Sequence, residues 1–327
     1  MKLQSKLAVA RSVMRYQLDH KPVPVAVAWL VTGRCTSDCA YCRWKDLRSC
    51  PELDTEAALD MIAQMREARV RLVSFTGGEP LLREDIGRLV EAVKRGGMAC
   101  KLNSNGALVP ARIDALRQLD LLQISLDGPP ALQDRLRGAG SAERAARAVR
   151  AAREAGIAVK LVTCITRDNV RGLDEVLEHA ASLGVRIHVQ PLAADPRPAG
   201  GEPSAPDPIE LSAALRRLLA LKRSRSPMAR WLGTSRAELL YYLQVSRGEL
   251  RGCHCALVTA TMLPDGGLIF CGSGRGGAVE DARSLGFAKA FSRLTLPECE
   301  GCTCAGKLRI SRVFQLDPRA WIDQLLG

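Results

Sequence analysis

Residues 25–42 read VAVAWLVTGRCTSDCAYC, an apolar run that leads directly into three cysteines. The run Val25–Thr32 is short and rich in β-branched residues, which is typical of a strand buried in a parallel sheet. Cys35, Cys39 and Cys42 follow on one short loop. Three thiolates at this spacing can surround one iron–sulfur cluster, and a four-iron cluster held by only three would keep one iron open to a ligand. The alternative is a zinc site or coincidentally placed cysteines, although structural zinc normally takes a closed set of four ligands.

Strand-like and helix-like segments alternate over the first 190 residues. Each predicted strand except the last is followed by a predicted helix, which favours a parallel α/β sheet. The spacing suits a partial (β/α)6 barrel of the TIM type, whose chemistry belongs at the carboxyl ends of the strands. The predicted strands are Val25–Thr32, Arg71–Phe75, Met98–Ser104, Leu119–Leu126, Ile157–Ile165 and Val185–Gln190. The predicted helices between them are Thr55–Ala68, Arg83–Lys94, Ala111–Gln118, Ala142–Ala155 and Val170–Leu183.

The composition narrows the class of protein. The 327 residues include 12 cysteines and carry a formal net charge of +12. No apolar run reaches the ~18 residues of a transmembrane helix, and the first residues lack the apolar segment of a signal peptide. We therefore expect a cytoplasmic protein whose cysteines bind metal or clusters rather than form disulfides. The basic run between Arg216 and Arg230 lacks interleaved aromatics, so we interpret the charge as a solvated surface and expect no nucleic-acid partner.

Four segments are predicted along the chain. An N-terminal amphipathic helix occupies residues 1–24, the barrel 25–194, a proline-rich linker with helices 195–252, and a cysteine-rich domain 253–327. The first segment suits either a helix on a membrane surface or a helix that covers the barrel, and we favour the second. In the last segment, residues 263–270 predict a β-hairpin with a Pro-Asp-Gly turn.

Polar motifs follow the second, third and fourth predicted strands. Thr76-Gly77-Gly78-Glu79-Pro80 follows the second strand, Ser104-Asn105-Gly106 ends the third, and Ile124-Ser125-Leu126-Asp127-Gly128 ends the fourth. Together with the three cysteines after the first strand, these motifs resemble the radical S-adenosylmethionine (SAM) superfamily. The resemblance covers most of residues 25–190 and implies a [4Fe–4S] cluster with an open iron site, ligated by the three cysteines, and SAM bound to it.

The same resemblance implies contacts with SAM at the strand ends. Gly77, Gly78 and Glu79 belong to a GGEP segment that binds the methionine end of SAM, since glycines allow close backbone approach and a carboxylate can pair with an ammonium. The next two motifs reach the ribose and carboxylate of SAM through Ser104, Asn105, Ser125 and Asp127.

Two further residues match positions near SAM in related enzymes. Arg137 corresponds to an arginine near the SAM carboxylate, where a guanidinium can pair bidentately. A solvated arginine at the start of a helix is the alternative. Tyr41, just before the third cysteine, resembles an aromatic residue that packs on adenine, and a plain packing role is equally open.

A second group of cysteines lies in the C-terminal segment and resembles the SPASM and twitch domains of one radical SAM subgroup. These domains hold auxiliary clusters, and here we expect one auxiliary [4Fe–4S] cluster, because too few cysteines follow for the full SPASM pattern. A four-cysteine zinc knuckle is the alternative that spacing permits. The predicted ligands are Cys255, Cys271, Cys299 and Cys302, with Cys253 and Cys304 as substitutes or additions.

The activity implied by the resemblance is reductive cleavage of SAM to a 5′-deoxyadenosyl radical, which abstracts hydrogen from a substrate. The expected outcome is an oxidative modification in natural-product, peptide or cofactor biosynthesis, with an external electron donor such as flavodoxin or ferredoxin. The substrate would be a small molecule or a peptide. Two alternatives stay open: a radical SAM enzyme acting on a lipid or RNA, and a zinc-ribbon protein that binds nucleic acid.

Overall fold

The computed structural model describes residues 3–19, 21–42, 44–192, 204–247, 255–270, 278–295 and 305–318. Its strands are β1 (Ala26–Thr32), β2 (Leu72–Gly77), β3 (Ala99–Ser104), β4 (Leu121–Ser125), β5 (Val159–Ile165), β6 (Ile187–Pro191), β7 (Thr259–Met262), β8 (Gly267–Ile269) and β9 (Glu280–Asp281). Its helices are α1 (Leu3–Asp19), α2 (Thr55–Glu67), α3 (Ile86–Arg95), α4 (Pro130–Arg137), α5 (Ser141–Glu154), α6 (Leu173–Ser182), α7 (Pro208–Arg223), α8 (Arg236–Ser246), α9 (Cys255–Val258), α10 (Ala282–Leu285), α11 (Phe287–Arg293) and α12 (Ala305–Phe314).

The strands form one sheet in the order β6-β5-β4-β3-β2-β1-β7-β8-β9. Neighbouring strands from β6 through β1 to β7 are parallel, and β8 and β9 are added antiparallel. Helices or helical turns connect consecutive strands from β1 to β6, as right-handed parallel crossovers require. The predicted partial α/β barrel is confirmed.

The six predicted barrel strands are all present, but one predicted helix between them was wrong in type and one helix was not predicted. The predicted helix Ala111–Gln118 is a 3-10 helix, Pro110–Leu116, interrupted at Arg112, whose φ is −117°. Helix α4, which begins at Pro130 and ends at Arg137, was not predicted from the sequence. Proline at the first turn of α4 needs no hydrogen-bond donor there, so the Pro129-Pro130 pair starts a helix rather than only a turn.

The sheet has two chemically different faces. On one face, alternate strand residues such as Trp29, Phe75, Leu102 and Ile124 are fully buried and share one hydrophobic core with the surrounding helices. The residues between them, including Ser74, Asn103 and Gln123, are only partly buried and are mainly polar. We call this second face the inner face, because it is the side of the partial barrel turned away from the helices. The alternation of the core residues thus leaves a polar surface inside the barrel.

The C-terminal hairpin belongs to the same sheet as the barrel. Strand β7 pairs parallel to β1, and β8 folds back on β7 through a turn containing Gly266 at a φ of +92°. The hairpin predicted at residues 263–270 is therefore present. The auxiliary-domain cysteines around it lie outside the described residues, apart from Cys255, at which α9 begins.

Helix α1 packs on the far C-terminal helix. Val13 and Tyr16 are buried in a small core with Val313 and Phe314 of α12, and the Tyr16 and Phe314 rings lie 5.7 Å apart. Val13 and Tyr16 thus face the protein, whereas Met14 and Leu18 of the same helix are 58% and 81% exposed. Within the described residues, no helix has both the length and the apolar character needed to span a bilayer.

Candidate active site

The three cysteines lie on the loop that follows β1, and backbone contacts with the neighbouring strand hold this loop. We call Cys35–Cys42 the cysteine loop. The Gly78 N–H donates to Thr32 O at 2.8 Å, and the Glu79 N–H donates to Arg34 O at 2.7 Å. A methyl group on Gly78 would lie 2.0 Å from the Arg34 oxygen. The Gly-Gly-Glu segment therefore needs glycine to approach the chain that enters the cysteine loop.

A partly buried network of charged side chains supports the base of the cysteine loop, and no local sequence pattern indicated it. Glu52 accepts hydrogen bonds from the Thr32 hydroxyl at 2.5 Å and from Arg34 Nε at 3.0 Å. Arg83, only 5% exposed, donates to Val31 O at 3.1 Å and pairs with Asp85 at 2.7 Å. These side chains bind the carboxyl end of β1 to segments far away in sequence.

The donor set of the cysteine loop consists of soft sulfur atoms. Cys39 is buried, and burial raises the pKa of the Cys35 and Cys39 thiols. Cys35 Sγ accepts from the Ser37 N–H at 3.4 Å and from Asn105 Nδ2 at 3.9 Å. Such thiolates need a cation to stabilise their charge.

The three cysteines of the loop provide the sulfur donors of an iron–sulfur cluster. Among the described residues, no three His, Cys, Asp or Glu side chains converge as the ligands of one metal ion would. Cysteines that hold a cluster bind different irons and therefore need not converge in this way. The three cysteines on one loop thus fit the implied [4Fe–4S] group.

Glu79 connects the carboxyl ends of β2 and β3. Its carboxylate is fully buried and accepts hydrogen bonds from the Ser104 hydroxyl at 3.0 Å, the Asn105 N–H at 2.8 Å and the Leu81 N–H at 3.2 Å. Burial outweighs these donors and raises the pKa of Glu79 to about 7. From the sequence we expected this carboxylate to meet a ligand ammonium. In the structure its oxygens accept hydrogen bonds from protein donors, and one of these bonds holds Asn105.

Asn105 in turn contacts the cysteine loop. Its side-chain amide donates to Thr36 Oγ1 at 3.0 Å and to Ser37 Oγ at 3.1 Å. Glu79, Asn105 and the cysteine loop therefore form one connected chain of hydrogen bonds. Ser104 belongs to the same chain through its hydroxyl, which donates to Glu79.

The raised pKa of Glu79 predicts a pH-dependent stability. The unfolded chain releases this proton near pH 4.5 and the folded chain near pH 7, so the folded state binds more protons between these values. The contribution of protonated Glu79 to the free energy of unfolding is therefore fully present below pH 4.5. It amounts to roughly 3 kcal/mol and is lost as the pH rises to about 7. We expect Glu79→Gln to flatten this decline in urea unfolding measured from pH 4.5 to 8.

The exposed Glu67 supplies the matched control for this experiment. Glu67→Gln should keep the wild-type slope of unfolding free energy against pH. If Glu79→Gln also kept the wild-type slope, Glu79 would be ionised throughout the range and the interpretation would be wrong.

Tyr41, Asp127 and Arg137 form a second network between the cysteine loop and β4. The Tyr41 hydroxyl donates to Asp127 Oδ2, and Arg137 Nε donates to the same oxygen at 2.5 Å. Arg137 Nη2 also lies 2.5 Å from the Tyr41 hydroxyl. Burial raises the pKa of Tyr41 well above its ordinary value. Burial lowers the pKa of Arg137, but the Asp127 charge outweighs it and holds that pKa well above its ordinary value.

Asp127 also receives donors from the neighbouring strand end. The Cys164 N–H donates to Asp127 Oδ1 at 2.9 Å, and the Asp127 N–H donates to Gln133 Oε1 at 2.7 Å. Gln133 in turn donates to Ser125 O at 3.3 Å. Asp127 thus ties β4, β5 and the last residue of α4 to the cysteine loop. Arg137 lies at the end of α4 and is only 11% exposed, so it is not the solvated arginine of the alternative interpretation.

The structure brings together most of the predicted site. Hydrogen bonds of Asn105 and Asp127 connect the cysteine loop to the ends of β3 and β4. Backbone hydrogen bonds connect the Gly-Gly-Glu segment to the chain that enters the same loop. Ser125 is partly buried on the inner face, and only its backbone joins this network. The predicted auxiliary ligands Cys253, Cys271, Cys299, Cys302 and Cys304 lie outside the described residues.

Comparison with known proteins gives one family match. Residues 29–183 match the model of the Radical SAM superfamily. The chain is 34% identical over 184 residues to mycofactocin maturase MftC of Mycobacterium tuberculosis (strain CDC 1551 / Oshkosh), covering 54% of this chain and 46% of that protein. It is 31% identical over 183 residues to the AdoMet-dependent heme synthase of Oleidesulfovibrio alaskensis, covering 54% of this chain and 47% of that protein. The chain spans about half the length of the curated relatives it matches.

A solved structure shares the fold. The crystal structure of Streptococcus suis SuiB bound to S-adenosylmethionine superposes with a TM-score of 0.69 at 16% identity, covering 86% of this chain and 69% of that chain. At this identity the similarity establishes the architecture alone.

Proposed function

We propose that the protein cleaves SAM reductively and abstracts hydrogen from a peptide or cofactor precursor. The premise is the match of residues 29–183 to the model of the radical SAM superfamily. The observation that carries the proposal is the contact of the cysteine loop with the ends of β2 and β3 through Asn105. A cluster bound by Cys35, Cys39 and Cys42 would therefore face the motifs assigned to SAM. The matches to enzymes favour this function over the zinc-ribbon alternative.

The bound [4Fe–4S] cluster would supply the electron that splits SAM into methionine and a 5′-deoxyadenosyl radical. The chain's own residues bind the cluster and SAM and orient them. Cys35, Cys39 and Cys42 would hold the cluster. Glu79 fixes Asn105 against the cysteine loop, and Asp127 fixes Arg137 beside Tyr41.

The assignment of individual SAM contacts is part of the proposal. Gly77 and Gly78 let the Gly-Gly-Glu segment pack against Thr32 and Arg34 at the start of the cysteine loop, and we assign the methionine end of SAM to this segment. Arg137 supplies a guanidinium for the SAM carboxylate while Asp127 neutralises it in the absence of SAM. Ser104 and Asn105, with Ser125 and Asp127, close the site from β3 and β4.

The substrate and the electron path also belong to the proposal. The relatives include a mycofactocin maturase and an AdoMet-dependent heme synthase, and a crystal structure shows SuiB bound to the precursor peptide SuiA. We propose an oxidative modification of a peptide or cofactor precursor in the cytoplasm, with electrons from a flavodoxin or ferredoxin. One auxiliary [4Fe–4S] cluster at the C-terminal cysteines would pass electrons from the substrate radical.

The proposal is tested by SAM cleavage. Protein reconstituted anaerobically with iron and sulfide should release 5′-deoxyadenosine and methionine from SAM under a strong reductant, measured by chromatography. A reconstituted protein that holds four irons yet releases no 5′-deoxyadenosine would overturn the proposed function.

Iron content tests the auxiliary cluster separately. Two clusters would give about eight irons per chain, and the variant lacking Cys35, Cys39 and Cys42 should retain about half of this iron with its brown absorption. A zinc knuckle would instead leave that variant colourless, with about one zinc per chain. Inductively coupled plasma analysis of both proteins distinguishes the two outcomes.

A further inference from the structure

Helices α7 and α8 follow β6 in the sequence, pack against each other and leave a cleft between them. The hydroxyl groups of Ser212 and Ser246 lie 3.0 Å apart, which places the start of α7 beside the end of α8. The cleft has a volume of about 420 Å³, which is within the range of ligand-binding pockets. We call it the α7–α8 cleft.

Part of the lining of the α7–α8 cleft is apolar. Leu219 and Ala220 of α7 and Leu240 and Leu243 of α8 contribute to it. Leu219 and Leu243 are buried, whereas Leu240 is only partly buried and Ala220 is exposed. An apolar side chain that entered the cleft would remove this remaining apolar surface from water, which is favourable.

Arginines supply the charge of the α7–α8 cleft. Arg216 and Arg223 of α7 line it, and both are exposed. Neither of these two side chains forms an ion pair or a hydrogen bond with another residue that the structure describes. Arg247 of α8 adds a third guanidinium to the lining, and no described Asp or Glu contributes to it.

The two helices provide no acidic partner for Arg216 and Arg223. Glu210 is the only acidic residue of α7, and it pairs with Arg171. Glu238 is the only acidic residue of α8, and it belongs to the capping box at the start of that helix. Within the described part of the chain, the charges of Arg216 and Arg223 are therefore uncompensated, which favours an anionic ligand.

The separation of the two arginines suits a ligand with more than one anionic group. Arg216 and Arg223 are seven residues apart, which is two turns of α7 and about 10 Å along its axis. An acidic peptide presents carboxylates at this separation, because residues three apart in an extended chain or seven apart on a helix are about 10 Å apart. Nucleic acid fits less well, since its bases stack on aromatic side chains and the lining contains none.

We propose that the α7–α8 cleft binds an acidic peptide segment of a partner chain. Carboxylates of the segment pair with Arg216 and Arg223, where a guanidinium can donate two parallel hydrogen bonds, and an apolar side chain between them lies against Leu240. The inference goes beyond the proposed function, because the cleft shares no residue with the cysteine loop or with the motifs assigned to SAM.

The test measures the binding of three labelled ten-residue peptides to the reconstituted protein by fluorescence anisotropy at low salt. The first peptide has the sequence EELLEELLEE, the second replaces each glutamate by glutamine, and the third replaces each leucine by serine. We expect the first to bind about tenfold more tightly than either of the others, because one charge-assisted hydrogen bond or one buried leucine typically supplies a factor of this size.

Variants assign this binding to the cleft. Replacing Arg216 and Arg223 together by glutamine should weaken the first peptide about tenfold and remove its advantage over the glutamine peptide. Leu240→Ser should instead remove its advantage over the serine peptide. The matched control is the double variant Arg225→Gln with Arg236→Gln, which removes two charges from exposed positions outside the cleft and should leave the affinity unchanged. Thermal unfolding followed by circular dichroism shows that each variant is folded.

Three results would overturn the inference. Equal affinity of the three peptides for wild type would exclude recognition of an acidic, apolar segment. An equal loss of affinity in the control double variant would assign the binding to the general surface charge. An oligouridylate of ten nucleotides that displaced the first peptide better than its own unlabelled form would assign the cleft to nucleic acid. SAM cleavage, measured on the same samples, should be the same in wild type and in the variant lacking Arg216 and Arg223, so the proposed function is tested independently.

Discussion

Replacing Cys35, Cys39 and Cys42 together by alanine should abolish the release of 5′-deoxyadenosine from SAM. Each cysteine ligates a different iron of the proposed cluster, and the described residues place no other cysteine on the loop. Without the cluster, SAM would have neither an open iron to bind nor an adjacent source of the electron for its sulfonium. Each single variant should also lose activity below detection, because two cysteines cannot hold a cluster with one open iron.

Cys50→Ala is the matched control for these variants. Cys50 is a partly buried free cysteine eight residues beyond the cysteine loop, and its N–H donates to Leu47 O, which lies outside that loop. This variant should keep the iron content and the cleavage rate of wild type. Undiminished cleavage of SAM by the triple variant would remove the basis of the proposed function. Iron content and 5′-deoxyadenosine are measured on the same samples.

The sequence alone was sufficient to predict those features that follow from a local pattern of residues. The six barrel strands follow from short apolar runs between helix-like segments, and the cysteine loop follows from its spacing. Glycines at positions 77 and 78 were singled out because close approach needs them, and a methyl group at either would lie within 2.3 Å of a backbone oxygen. Such features can be predicted because they depend only on residues that are close in sequence.

The residues that support the site could not be predicted in the same way. Arg83 holds Val31 O from 52 positions away, and Tyr41 reaches Asp127 across 86 positions. Which charge pairs with which depends on the register of β1, β2 and β4 and on the end of α4, and no local pattern encodes it. The hydrogen bonds that Glu79 makes with Ser104 and Asn105 were not predicted for this reason, since these partners come from the next strand.

The pairing of the C-terminal hairpin with β1 also could not be predicted from local sequence patterns. The hairpin itself was evident from its Pro-Asp-Gly turn, but its pairing with β1 links Ala26 to Thr259. Such long-range parallel pairing leaves no periodic signal in either strand. One consequence is that β7, which lies between Cys255 and Cys271 in the sequence, runs beside the strand that leads to the cysteine loop.

Removing the Asp127 carboxylate should destabilise the fold severely. Asp127 is fully buried, and its only ionised neighbour in direct contact among the described residues is Arg137, which is 11% exposed. Asp127→Ala would leave the guanidinium uncompensated in the interior, which typically costs about 3–5 kcal/mol. It would also leave the Tyr41 hydroxyl and the Cys164 N–H without their acceptor. Urea unfolding of the purified protein measures the loss.

A double variant separates the uncompensated charge from simple loss of packing. In Asp127→Ala with Arg137→Met, neither charge of the pair remains buried, so the double variant should be more stable than Asp127→Ala alone, with a coupling free energy of at least about 1 kcal/mol. Asp114→Ala breaks an exposed ion pair with Arg117 of similar length, 2.8 Å, and should cost less than about 1 kcal/mol. If Asp127→Ala cost no more than Asp114→Ala, Arg137 would have found water or another partner. The network of Tyr41, Asp127 and Arg137 would then not fix the guanidinium that we assign to the SAM carboxylate.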